Sequence, residues 1–97
     1  MMVLVSYDVA TTTKAGRRRL RKVADACLDF GQRVQNSVFE CVVDPGQWVV
    51  LKNRVLDTYE PKEDSIRFYF MGSNWQRKVE HYGIKEVRDL EKDSLIV

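Results

Sequence analysis

The strongest constraint on this chain is its alternation of short apolar runs of period two with two stretches of helical period. Val3-Leu4-Val5-Ser6-Tyr7-Asp8 is rich in β-branched residues and alternates as a buried strand does. Thr11, Thr12 and Thr13 then offer hydroxyls to cap a helix start, and Leu20, Val23, Ala24, Cys27 and Leu28 fall on one helical stripe. Gly16 weakens the start of that helix slightly, and Gly31 stands where a C-terminal cap belongs. A short polar run, Arg33 to Asn36, reverses at Asn36-Ser37 into a second strand pattern, Val38 to Val43. Asp44-Pro45 opens the next helix, with Gln47 spaced to complete a capping box. Trp48, Leu51, Val55, Leu56 and Tyr59 form its inner stripe, and Pro61 stops it. Asp64 to Met71 returns to period two, with Ile66, Phe68 and Phe70 on one face.

The resulting order, βαββαβ, predicts an α+β, ferredoxin-like sandwich. Right-handed crossovers place both helices on one face of an antiparallel sheet. Lys78-Val79-Glu80-His81-Tyr82 adds an extra C-terminal strand. At 97 residues the chain is one domain, 1–97, and with 44% hydrophobic residues it is too apolar for a disordered one. The sheet face away from the helices carries Leu4, Ser6, Val38, Val42, Tyr69 and Met71, which is too apolar to leave in water. A second copy around a two-fold axis covers it most simply, so a homodimer is expected. The segment from about 78 to 97, ending Leu95-Ile96-Val97, reads as an arm that pairs at the dimer interface or folds back on its own sheet. Cys27 and Cys41 each lie inside an apolar pattern and read as buried thiols of a reducing cytoplasm. No apolar run reaches the roughly 20 residues of a membrane span, and Met1 to Asp8 lacks a basic leader, so no membrane association is expected.

Charge is concentrated. The net charge is only +2, yet Lys14, Arg17, Arg18, Arg19, Arg21 and Lys22 follow one another without an intervening acid. These are six of the 16 basic residues, leaving ten against 14 acidic ones elsewhere. Three of the arginines fall in early turns of the first helix, where the macrodipole disfavours cations. A solvated charged face explains such a run in general. Its density and its misplacement at a helix start point instead to phosphate contacts that are salt-sensitive and blind to base sequence.

Asp8 ends the first strand at the edge where the first helix begins. Taken alone it reads as a turn or capping residue. One carboxylate is a poor metal site, but Mg²⁺ keeps several waters and takes only one or two protein carboxylates. A two-fold axis near this strand end brings two copies of Asp8 together, and facing carboxylates repel unless a cation lies between them. His81 is the only histidine, there is no zinc-spaced cysteine pair, and no Gly-rich phosphate loop or serine nucleophile motif is present. Trp48 reads as core; Trp75 reads as packing on the tail or as a base-stacking ring.

Several of these stretches together resemble the CRISPR-associated protein 2 family. They are Val5-Ser6-Tyr7-Asp8, the helix Arg18-Arg19-Leu20-Arg21-Lys22-Val23-Ala24, and Gly31-Gln32-Arg33-Val34-Gln35-Asn36-Ser37-Val38-Phe39-Glu40-Cys41. The likeness continues through Lys78-Val79-Glu80-His81, and the tail is most similar to members from type I-C systems. It implies a ferredoxin-like homodimer that takes part in spacer acquisition beside the integrase, CRISPR-associated protein 1. It also implies a Mg²⁺-dependent endonuclease acting on single-stranded RNA or double-stranded DNA. The family's metal-binding aspartate falls on Asp8, one from each protomer. Ser6, Tyr7 and Phe39 match the surrounding pattern as supporting residues, and Arg18 and Arg33 match it as basic ones.

Three functions follow. In the first, paired Asp8 side chains hold the metal of a nuclease. In the second, the dimer is a scaffold whose basic helices grip duplex backbone between integrase subunits. The third, a ligand-sensing regulator, is disfavoured by the lack of a Gly-rich ligand loop.

Overall fold

The computed structural model describes residues 1–72 and 78–84. Seven elements follow in the order β1 (Met2–Asp8), α1 (Lys14–Leu28), β2 (Gly31–Gln35), β3 (Val38–Val42), α2 (Pro45–Thr58), β4 (Ser65–Met71) and β5 (Lys78–Gly83). The strands form one sheet in the order β2-β3-β1-β4-β5, every neighbouring pair antiparallel. The α+β sandwich read from the sequence is therefore the fold, with the first strand at the centre of the sheet.

Alternation along the central strand explains the layering. Val3, Val5 and Tyr7 point to the helices and are buried, whereas Leu4, Ser6 and Asp8 point to the open face. The core joins those three to Val23, Ala24 and Cys27 of α1, Leu51 and Val55 of α2, Phe39 and Cys41 of β3, and Ile66 and Phe68 of β4. Trp48 packs edge-on against Phe68 and Phe70, with ring centroids 4.9 and 5.0 Å away. Cys27 and Cys41 are buried free thiols, and Cys41 Sγ donates to the Cys27 carbonyl at 3.5 Å.

Both helix starts are built as their sequences require. The Thr13 hydroxyl accepts from the Gly16 amide at 3.0 Å. Asp44 Oδ1 accepts from the Gln47 amide at 2.7 Å, and Gln47 Oε1 accepts from the Asp44 amide at 2.9 Å, which completes the capping box. Gly16 has a second role: a Cβ there would lie 1.8 Å from the Ala10 carbonyl oxygen. The loop after Asp8 thus packs directly on the α1 backbone.

Gly31 is not a helix cap. It is the first residue of β2, opposite Cys41, where a Cβ would lie 1.8 Å from the Glu40 carbonyl oxygen. Close approach of two backbones, not a left-handed conformation, requires glycine at this position.

On the open face, Leu4 stands beside Tyr69, Ser6 beside Val38, and Met2 between Val42 and Met71. Val42 is 63% exposed and Met71 43%. The strand β5 lies on the β4 edge of its own chain, from Phe70 opposite Lys78 to Ser65 opposite Gly83. Trp75 and the Leu95-Ile96-Val97 end lie outside the described residues. Among those residues no helix is long and apolar enough to cross a membrane.

Candidate functional site

Asp8 occupies the last rung of the central strand, opposite Ser65 of β4. Its residue is exposed and forms part of the wall of an open cleft of about 430 Å³, together with Ser6, Thr11, Asn36, Ser37 and Leu20. Four segments shape this cleft: the end of β1, the loop into α1, α1 itself through Leu20, and the tip of the β2–β3 hairpin. The hairpin tip is fixed by the Tyr7 amide, which donates to the Ser37 carbonyl at 2.9 Å.

A second depression, of about 310 Å³, runs between α1 and β2 with Arg17, Arg21 and Arg33 on its walls. Leu20 and Asn36 line both depressions, so the carboxylate cleft adjoins a groove whose charged lining is three arginines and Asp25. Arg33 sits opposite Phe39 in the β2–β3 ladder and lays its guanidinium 5.2 Å from that ring's centroid. Arg17 Nη1 donates to the Thr11 carbonyl at 3.0 Å, drawing the loop after Asp8 towards the helix.

The residues singled out in the sequence separate by position. Ser6 and Asp8 share the cleft and the open face. Lys14, Arg17, Arg18, Arg21, Lys22 and Arg33 are exposed. Phe39 lies fully buried in the core and does not line the cleft. Arg19 does not face outward with its neighbours. Its Nε donates to Asp64 Oδ2 at 2.8 Å and its Nη2 to Asp64 Oδ1 at 3.1 Å, with its side chain only 17% exposed. Tyr7 contributes to the cleft wall, but its hydroxyl is directed into the protein, where it donates to Asp64 Oδ2 at 2.5 Å.

In the sequence Asp64 reads only as the start of a strand. It is fully buried, and its Oδ2 also accepts from the Glu60 amide at 3.0 Å. Burial alone would raise its pKa, but the bonds from Arg19, Tyr7 and the Glu60 amide outweigh burial and hold it below the ordinary carboxylate value. The same contact, after burial, pushes the Tyr7 phenol well above its usual range.

On the open face His81 stands opposite Arg67. Burial, then the Arg67 charge, lowers its pKa, and its buried Nε2 has no hydrogen-bond partner among the described residues.

The residue types around Asp8 bear on metal binding. With the Tyr7 hydroxyl turned inward, a carboxylate, three other hydroxyl residues and an amide offer oxygen alone, the donor set of a hard cation such as Mg²⁺ rather than zinc. Among the described residues there is no group of three or more His, Cys, Asp or Glu positioned for a metal. One chain therefore supplies a single carboxylate, which fits a hydrated ion shared with a second copy.

Fold and site together define a small ferredoxin-like domain with an acidic strand end beside an arginine-lined groove. The chain belongs to the family described as CRISPR associated protein Cas2, whose profile matches residues 1–79. It is 65% identical over 91 residues to the CRISPR-associated endoribonuclease Cas2 of Chlorobaculum tepidum, covering 94% of this chain and 95% of that protein. It is 52% identical over 96 residues to the CRISPR-associated endonuclease Cas2 of Halalkalibacterium halodurans, covering 99% of each. Among solved structures, the crystal structure of Streptococcus pyogenes Cas2 at pH 6.5 superposes with a TM-score of 0.73 at 61% identity. That alignment covers 77% of this chain and 90% of the other.

Proposed function

We propose that the chain is a homodimeric, Mg²⁺-dependent endonuclease of CRISPR spacer acquisition, cutting phosphodiester bonds of single-stranded RNA, double-stranded DNA, or both in the cytoplasm. The observation that carries this reading is the adjacency of the Asp8 cleft to the groove walled by Arg17, Arg21 and Arg33, with Leu20 and Asn36 shared between them. A backbone held by those arginines passes into the cleft beside the carboxylate. The names of the relatives, endoribonuclease and endonuclease, support the same chemistry.

In this reading Asp8 and Asp8 of the partner subunit hold the cation between them, and the open sheet faces meet around the two-fold axis. When bound, Mg²⁺ supplies charge stabilisation at the phosphodiester and a more acidic water. The chain's own residues bind and orient: the arginines fix the strand, Ser6 and Asn36 shape the cleft, and Asp8 sets where the charge is placed. Exposure of Val42, Met71 and Met2 on the open face supports a dimer that covers them, and pairing of the segment from 78 onward at the dimer interface, beside its place on the β4 edge of its own chain, is part of the proposal.

A second reading has its own support. Lys14, Arg18 and Lys22 are exposed but line neither the cleft nor the basic groove. Cations placed away from Asp8 suit a scaffold that holds duplex backbone beside an integrase, CRISPR-associated protein 1.

The two readings part in one experiment: wild-type protein and Asp8→Ala on single-stranded RNA and duplex DNA, with Mg²⁺ or with chelator. Cleavage that needs both metal and Asp8 supports the nuclease. Equal background in both proteins, with duplex binding retained, leaves the scaffold.

A further inference from the structure

We infer that Asp64 is a positioning residue for Asp8: its buried carboxylate, bound at once by the Tyr7 hydroxyl and the Arg19 guanidinium, closes the end of β1 onto the start of β4 and fixes the basic helix against both. The inference rests on the nuclease reading of Asp8 and names the residues that hold that site in place.

The geometry forms a closed circuit. Asp8 is bonded to Tyr7 through the chain; Tyr7 donates its hydroxyl to Asp64 at 2.5 Å; Asp64 is followed by Ser65; and Ser65 is the ladder partner of Asp8. A strand's last rung is ordinarily where pairing frays, because no further rung lies beyond it. Here a buried bond ties that rung from the helix side, while the Asp8 side chain stands on the open side. The ring that makes the tie is 1% exposed, so it has no freedom to swing.

Asp64 also gathers the surroundings. Through Arg19 it takes hold of α1 one residue before Leu20, the residue shared by the cleft and the basic groove. Its side chain accepts from the Glu60 amide in the loop before β4, and its carbonyl accepts from the Ile84 amide at the end of β5. One buried anion thus sets the spacing between Asp8 and the helix that carries the arginines. Neither Asp64 nor Arg19 lines the cleft, so both act through Tyr7 and the strand end.

The test compares wild type with Tyr7→Phe, Arg19→Lys and Asp64→Asn, and uses Asp8→Ala as the reference for the site. Tyr7→Phe keeps the ring in the core and removes only the hydroxyl, so it carries the test even where Asp64→Asn fails to fold. Two readouts are taken: kcat and KM for strand cleavage, and amide hydrogen exchange along β1 and β4. The inference expects kcat of Tyr7→Phe to fall by about 10- to 100-fold with KM nearly unchanged, the signature of a reacting group misplaced while strand binding is kept. It also expects exchange at Asp8 and Ser65 to accelerate well beyond any change at Val3 and Val5. A merely structural role shifts all four amides together and leaves kcat intact, and either result overturns the inference. Should Asp8→Ala cleave as well as wild type, the nuclease reading falls, and the exchange pattern alone then decides whether Asp64 holds the rung.

Discussion

Lys52 of α2 reaches Glu80 of β5, Nζ to Oε1 at 3.1 Å, and lies 5.4 Å from the ring of Tyr82 and 5.8 Å from that of Trp48. Tyr82 first, and Glu80 next, raise the Lys52 pKa, so the ammonium stays charged throughout the working range. One side chain therefore staples the last described strand to a helix, and it does so from the helix-covered side of the sheet. Lys52→Ala is expected to speed hydrogen exchange across 79–83 while costing only about 0.5–1.5 kcal/mol of global stability. Unchanged exchange in that segment would show that the β4 ladder alone holds β5.

Acid should expose the Asp64 network. Its carboxyl titrates below the ordinary value in the folded chain, so the stability it contributes is present above the unfolded value, about 3.9, and is lost as pH falls through the folded one. Urea midpoints of the wild type should decline below about pH 5 and continue to fall with further acid. Asp64→Asn, which leaves Arg19 only its longer, exposed pair with Glu63 at 3.4 Å, should cost about 3–5 kcal/mol at pH 7 and show a shallower acid decline. Parallel acid profiles in the two proteins would assign the decline to other carboxylates.

The basic helix makes a prediction of a different kind. Arg18→Ala with Arg21→Ala should weaken duplex binding and lower the slope of log K against log salt by about 0.9 for each phosphate that is no longer neutralised. Arg21 belongs to the groove and Arg18 does not, so the two single variants separate the nuclease path from a general hold on duplex backbone. A slope unchanged in the double variant removes α1 from nucleic-acid binding.

The open face can be tested by charge. Val42→Lys or Met71→Lys places an ammonium where apolar surface is 63% or 43% exposed in the single chain, so neither should disturb folding. Both should shift sedimentation from dimer to monomer, because a two-fold contact meets each new charge twice. A dimer that persists in both variants would place its interface elsewhere.

What can be read from the sequence is what local chemistry determines. The capping box of Asp44 and Gln47 spans three residues and declares itself. Alternation along β1 assigns Asp8 and Ser6 to one face without any knowledge of neighbouring strands. The pairing of Arg19 with Asp64 bridges 45 positions and depends on where two elements come to rest after folding, so no spacing rule announces it. Arg19 looks like one more cation of its run because its neighbours are. The only local hint is an aspartate that opens an apolar strand, a position where a buried charge requires a partner. Gly31 misleads for a related reason: a glycine after a helix is usually there for its φ, and the contact that requires it comes from β3.

The place of β1 in the sheet bears on how durable the site is. A central strand is among the last parts of a domain to open, whereas edge strands and their neighbouring loops breathe long before the whole unfolds. Asp8 is carried by the former; Arg33 belongs to the outermost strand on one side. The acidic half of the site thus persists as long as the fold itself, and of the basic half only the wall that Arg33 supplies lies on an edge that can yield. In the proposed function, a strand held at that margin would shift without disturbing the carboxylate at the centre of the sheet.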